Sequence, residues 1–101
     1  MPVTGFRLSN QAYKDLDSIW RYTARTWSRR KANEYYQLLL ESCKKIVGNP
    51  QVGRKFLKSN GEYELYAKVN KHLVFYNFVG SDIEIHRILH ESMDLEKRLK
   101  E

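Results

Sequence analysis

Pro50 divides this 101-residue chain into two parts that obey different periodicities. Ahead of it, apolar residues recur at three- and four-residue steps, the repeat that gathers one face of an α-helix. Beyond it they alternate, the repeat of a half-buried β-strand. A proline does not continue a helix, because its nitrogen carries no hydrogen and its ring collides with the preceding turn. The chain is therefore committed to helices first and strands after, the order of an α+β fold with helices gathered against a sheet.

Ala12, Leu16, Ile19, Trp20, Thr23 and Trp27 mark the buried stripe of a first helix, with Ser9 or Asn10 as its N-cap and Trp20 in the core. Ser28 offers a second cap, and Ala32, Tyr35, Tyr36, Leu39, Cys43, Ile46 and Val47 form the matching stripe. Gly48 is expected to end that helix as a left-handed cap, with Asn49-Pro50 refusing continuation. So short a link at Trp27-Ser28 folds the two helices back as a hairpin. Residues 3–8 alternate and read as an edge strand, and residues 51–61 as a polar connection. Residues 62–69, 72–78 and 83–89 read as three strands of an antiparallel meander, turning at Asn70-Lys71 and Gly80-Ser81-Asp82. The second is apolar on both sides and belongs at the centre. Residues 92–101 are expected to add a helical turn or two, docked through Leu95 and Leu99. The expected architecture is α+β, an N-terminal strand and a helical hairpin packed on a small antiparallel sheet (β-α-α-β-β-β), in one domain over residues 1–101.

Composition narrows the function classes. No apolar run approaches the roughly 20 residues that span a bilayer, and the N-terminus lacks the basic and apolar segments of a secretory signal. One cysteine, Cys43, excludes an internal disulfide framework and reads as a buried small hydrophobe on the second helix. A cytoplasmic protein is expected. Residues 1–62 carry 12 Lys and Arg against 5 Asp and Glu, whereas residues 63–101 carry 6 against 7. The basic surplus thus lies on the first two-thirds of the chain, where Arg21, Arg25, Arg29, Arg30 and Lys31 crowd the hairpin turn. Such a field attracts an acidic protein or a nucleic acid alike.

The residues resemble a known family at five places in order. They are Ala12-x-x-Asp15-Leu16-x-x-Ile19-x-x-Tyr22, then Ala32-x-x-Tyr35 with Leu39, then Pro50-x-x-Gly53-Arg54. His72-Leu73-Val74-Phe75-Tyr76 follows, and Ile83-x-Ile85-x-Arg87-Ile88-Leu89-His90-x-x-Met93-Asp94 closes the series. Together, over residues 5 to about 98, they are similar to the ParE branch of the RelE/ParE superfamily, the toxins of type II toxin–antitoxin modules. Two positions depart from that pattern. Asn77 stands where members often carry arginine, and the preceding strand carries Glu64, with Lys68 as its one basic residue.

The resemblance implies a binding inhibitor of DNA gyrase that traps the topoisomerase on cleaved DNA, with no cofactor. It also implies a cognate antitoxin in a heteromeric complex. That antitoxin would wrap an acidic, apolar C-terminal segment over the toxin and bind operator DNA with its other half. The contact residues expected for antitoxin or target are Tyr22, Arg25, Trp27, Arg29, Arg30, Tyr36, His90, Met93 and Asp94, an aromatic and basic set. A second reading is a RelE-like mRNA endonuclease using Tyr76, His86, His90 and Arg54, with Arg87 and Lys68 nearby. In strand register, Glu84, His86, Ile88 and His90 would share one face and Arg87 the other. Read more simply, His86 is a half-exposed strand residue and His90 a strand-end histidine bonded to Asp94 or backbone. His72, His86 and His90 lack cysteine companions, so no metal site is expected. A third reading is a degenerate member that is no longer toxic.

Overall fold

Serine side chains fix both helix starts in the computed structural model, which describes residues 5–101, Val52 by its backbone alone. Ser9 accepts the Ala12 amide at 3.0 Å and Ser28 the Lys31 amide at 3.0 Å, each satisfying a donor that the first helical turn leaves orphaned. The elements run β1 (Phe6–Leu8), α1 (Asn10–Thr26), α2 (Arg29–Gly48), a 3-10 turn (Pro50–Val52), β2 (Arg54–Leu57), β3 (Tyr63–Val69), β4 (His72–Val79), β5 (Asp82–His90) and α3 (Leu95–Leu99). Residues 3 and 4 of the expected first strand lie outside the described range.

The expected meander is present as β3, β4 and β5, and β4 is the middle strand of the sheet. Asn70 and Gly80, at φ 53° and 63°, make the two tight turns. The sheet itself is larger and mixed. Its order is β1-β5-β4-β3-β2, and β1 runs parallel to β5 with Phe6 opposite Ile83. β2 pairs antiparallel with β3, Arg54 opposite Tyr66, inside the stretch expected to be a plain polar connection. Gly48 does not take the left-handed conformation. α2 ends instead at Asn49, whose amide donates to the Lys45 and Ile46 carbonyls before Pro50 turns the chain.

Two cores hold the sheet. On one face α1 and α2 bury Ala12, Leu16, Leu39, Cys43 and Ile46 against Val69, Val74, Tyr76, Ile83, Ile85 and Ile88. On the other, α3 lays Leu95 and Leu99 over Leu73, Phe75 and Leu89, with Phe56 and Tyr66 alongside. Trp20 is not in either core. It is half-buried between the helices, where its indole N–H donates to Asn33 Oδ1 at 2.9 Å. The strict alternation expected along β5 also fails. Phe75 faces Arg87 but Tyr76 faces Ile85, so His86 is an extra residue bulged out of the ladder. Ile83, Ile85 and Ile88 all reach the helix-side core, a three-residue step that separates Ile88 and His90 from the face of Glu84 and His86.

Where β1 stops, α1 takes over the edge of β5. Ser9 donates its amide to the Ile85 carbonyl and its hydroxyl to the His86 carbonyl. One turn and a half later Asp15 accepts the Ile88 amide at 2.9 Å, doing for that edge what a strand would.

Candidate functional site

The hairpin turn carries the residues expected there, in two grooves rather than one. Thr23, Trp27, Lys31 and Tyr35 line the first. Trp20, Arg21, Ala24, Arg25 and Arg29 line the second. Trp27 is 74% exposed and Tyr22 62%, so neither holds the fold together. Arg21 is paired with Asp17 at 3.1 Å, while Arg30 and Lys31 share Glu34 at 3.3 and 3.7 Å. Arg25 and Arg29 have no ion pair or side-chain hydrogen bond among the described residues. Tyr36 sits elsewhere, half-buried on the opposite flank of α2 in a groove with Trp20, Asn33 and Gln37.

Tyr35 joins the first groove to the second expected contact region. Its hydroxyl lies 2.6 Å from His72 Nδ1 and donates to the Val69 carbonyl at 3.2 Å. The His72 ring stands edge-on to His90, with centroids 5.3 Å apart. His90 Nδ1 in turn accepts the Ser92 amide at 3.1 Å and faces its hydroxyl at 2.7 Å. That bond shapes the turn that exposes Met93, whose own amide returns to the His90 carbonyl. His90 therefore bonds to backbone and Ser92 rather than to Asp94, which instead caps α3 through the Lys97 amide. Burial, then the neighbouring His90, pushes His72 down to about 4, so the His72 ring is packed as a neutral imidazole.

The four groups of the endonuclease reading do not all converge: Tyr76 and His86 border one groove, without His90 or Arg54. Tyr76 is 1% exposed, and its hydroxyl donates to the Pro50 carbonyl at 2.8 Å. Gly53 makes room for it, since a Cβ there would stand 2.0 Å from that oxygen. Burial raises the phenol above its ordinary pKa, the wrong direction for a base. His86 lies in a groove that Tyr76 also lines, with Lys58, Glu62, Glu64 and Asn77, and its Nε2 is 3.8 Å from Glu64 Oε1. Lys58 is bound to both Glu62 and Glu64, at 3.7 and 3.5 Å. His90 and Arg54 are not among the residues lining this groove. Lys68 is occupied by Glu91 at 3.0 Å.

Arg87 is structural. Its guanidinium, nearly buried, forks onto both Asp15 oxygens at 2.9 and 3.0 Å and donates to the Arg98 carbonyl at 2.6 Å, tying α1 to α3 across β5. The hydrogen bonds to Asp15 hold its pKa above the usual arginine value. Cys43 is fully buried, and burial pushes its thiol up to about 11, which makes it inert. Sequence reasoning passed over His72 as a contact residue and over the Lys58–Glu64 pair. The pairing of His72 with His90 follows from the Asn70-Lys71 turn and was open to inference. The Lys58–Glu64 contact depends on β2, which was not foreseen.

Residues 6–95 match the model of a family described as the ParE toxin of type II toxin–antitoxin system, parDE. Toxin ParE1 of Caulobacter vibrioides is 35% identical over 94 residues, covering 93% of this chain and 96% of that relative. Toxin ParE1 of Mycobacterium tuberculosis is 28% identical over 95 residues, with the same coverage. Among solved structures, one described as a chromosomal ParDE TA system from P. aeruginosa superposes with a TM-score of 0.74 at 18% identity. It covers 89% of this chain and 98% of that one, a likeness of fold. On sequence and architecture together, this chain belongs to the ParE toxin family of type II toxin–antitoxin systems.

Proposed function

We propose that this chain arrests replication in the cytoplasm by binding DNA gyrase, without catalysis of its own, and that a cognate antitoxin neutralises it. The observation that carries the non-catalytic part is that three of the candidate catalytic groups are held by their neighbours. The Tyr76 hydroxyl is held by Pro50, the His90 ring by Ser92, and Lys68 by Glu91. His86 faces two carboxylates balanced by one lysine, a field that repels an RNA phosphate rather than gathering it. Both departures from the family pattern, Glu64 and Asn77, line this groove.

Binding is supported by the opposite character of the hairpin end. An exposed Trp27, a groove floored by Tyr35, and the guanidinium groups of Arg25 and Arg29, unpaired among the described residues, have the composition of a protein-recognition patch. It continues through Tyr35 and His72 to His90 and the exposed Met93 and Asp94. An acidic, apolar antitoxin segment suits it, with apolar side chains at Trp27 and carboxylates at the arginines; Tyr22 and Arg30 border the same end, and Tyr36 serves a segment reaching the far flank of α2. The P. aeruginosa structure, described as a ParDE system, supports an antitoxin as partner.

The test is a supercoiling and DNA-cleavage assay with purified gyrase. Added toxin should raise cleaved complex in proportion to its concentration, and prior mixing with the neighbouring antitoxin should abolish the effect. Unchanged cleavage and supercoiling at saturating toxin would remove gyrase as the target.

A further inference from the structure

The turn from β2 to β3, Lys58-Ser59-Asn60-Gly61-Glu62, carries a reactive pair that the binding reading does not use. Of the six asparagines in the chain, Asn60 is the one followed by glycine. Both residues are exposed, and Gly61 takes a left-handed φ of 90°. Apart from its chain neighbours, nothing lies within 4 Å of where a Cβ would stand on Gly61, so its nitrogen is sterically open. The Asn60 side chain is folded back along the backbone, with Oδ1 accepting the Glu62 amide at 2.9 Å as in an Asx turn. The ring closed by that bond contains both Asn60 Cγ and the Gly61 nitrogen, which confines the two atoms to one small loop. The same donor stabilises the charge that gathers on Oδ1 when a nucleophile adds to Cγ. One contact opposes the addition. The Gly61 N–H donates to the Lys58 carbonyl at 3.0 Å and must open first. An exposed turn opens locally at a cost well below that of global unfolding.

We infer that Asn60 is a site of spontaneous modification, at which its side-chain amide is converted to a carboxylate. The Gly61 nitrogen forms a bond to Asn60 Cγ, and its proton passes through water to the departing Nδ2. The Cγ–Nδ2 bond breaks, ammonia leaves, and a five-membered succinimide remains. Water then opens that ring at one of its two carbonyls. Opening at Cγ leaves an aspartate at position 60, and opening at the main-chain carbonyl leaves an isoaspartate whose backbone runs through the side chain. The reaction consumes one water overall and changes no oxidation state.

Either product adds a negative charge where Lys58 already serves both Glu62 and Glu64, at 3.7 and 3.5 Å. Isoaspartate also inserts one carbon into the main chain between Ser59 and Gly61. The Lys58 amide then loses its register with the Glu62 carbonyl, now 2.8 Å away, and Ser59 shifts against α3. Ser59 holds Glu96 through its amide and through its hydroxyl, the latter at 2.8 Å. Those bonds fasten the turn to α3, whose Leu95 and Leu99 cover the second core. The modification therefore loosens α3 as the molecule ages.

The experiment ages the purified full chain in mildly alkaline buffer and follows each asparagine by peptide mass spectrometry after digestion. Residue 60 should convert first of the six, with ammonia released mole for mole and with methyl transfer by an isoaspartyl methyltransferase rising in step. Asn60→Gln should abolish that signal, and its thermal melt checks that the fold persists. The isoaspartyl fraction, separable by its extra charge, should exchange the amide hydrogens of residues 95–99 roughly 3- to 10-fold faster, the factor that one lost hydrogen bond of ordinary strength produces. Conversion of Asn70 or Asn77 before residue 60 overturns the inference. So does an intact folded chain beside a free peptide of the same turn that converts, because the Gly61–Lys58 bond would then protect the site. Unchanged exchange in the isoaspartyl fraction overturns the effect on α3. None of these readouts involves gyrase or an antitoxin.

Discussion

Asp15 satisfies three donors with two oxygens: Arg87 Nε, Arg87 Nη2 and the Ile88 amide. It therefore sets the position of α1 against β5 and, through Arg87, the position of α3. Removing one partner of a nearly buried pair leaves the other charge uncompensated, which costs more than the pair contributes as a net gain. Asp15→Ala should destabilise the fold by about 3–5 kcal/mol in denaturant titrations. A loss below about 1 kcal/mol would show that water reaches Arg87 freely.

His72 makes a second residue-scale prediction. Unfolded, it titrates near 6.5, and folded near 4. Between those values the unfolded chain binds the extra proton, so stability from this group is complete above pH 6.5 and is lost as pH falls towards 4. After discounting for its partial exposure, the loss is on the order of 1–2 kcal/mol. His72→Gln should flatten the stability profile across that interval, and an unchanged slope would place the titration elsewhere.

At the scale of elements, the recognition surface proposed for the hairpin lies outside the core. Trp27 ends the helical stripe yet stands outside the core, so Trp27→Ala should leave the melting temperature within a degree or two, since surface substitutions usually stay within about 0.5 kcal/mol. The same change should weaken antitoxin capture at least 10-fold, the loss of about 1.4 kcal/mol or more that marks a binding anchor. Calorimetry of the complex measures both. Truncation from residue 93 is a poor probe of the C-terminal region. It removes Leu95, Leu99 and the carbonyl that Arg87 needs, and so uncovers the second core. Met93→Ala, an exposed side chain on the turn, tests the contact without that damage.

The helices were readable because each local signal agreed: serine caps, a steady apolar stripe, and Asn49-Pro50 at the end. β2 was hidden because Arg54, Lys55 and Lys58 read as solvated loop, whereas Phe56 supplies the only inward anchor and the strand exists by pairing with β3. The β5 bulge at His86 was equally hidden, since one extra residue leaves the apolar pattern locally intact while turning later side chains to the other face.

For the whole molecule, the order of helices and strands was available from the sequence, but the parallel closure of β1 onto β5 was not. That pairing joins residues at opposite ends of the chain, and no local periodicity encodes it. The site was legible in part. Arg25, Arg29 and Trp27 lie where the crowding of charge at the turn placed them, whereas the convergence of Tyr35, His72 and His90 needed the sheet. Tyr76, which looked available for chemistry from its place on an apolar strand, is spent on the core.

A binding inhibitor, unlike an endonuclease, needs neither histidine as a catalyst, so His86→Ala and His90→Ala should each retain toxicity when induced without antitoxin, judged by colony counts against wild type. The most direct measurement follows labelled thymidine and labelled leucine in the minutes after this chain alone is induced in bacteria. Thymidine incorporation should fall first, with leucine incorporation following only later. An early fall in leucine incorporation with thymidine sustained would contradict the account and return the histidines to consideration as catalysts, and soluble expression that disturbs neither would mark a member that has lost its toxicity.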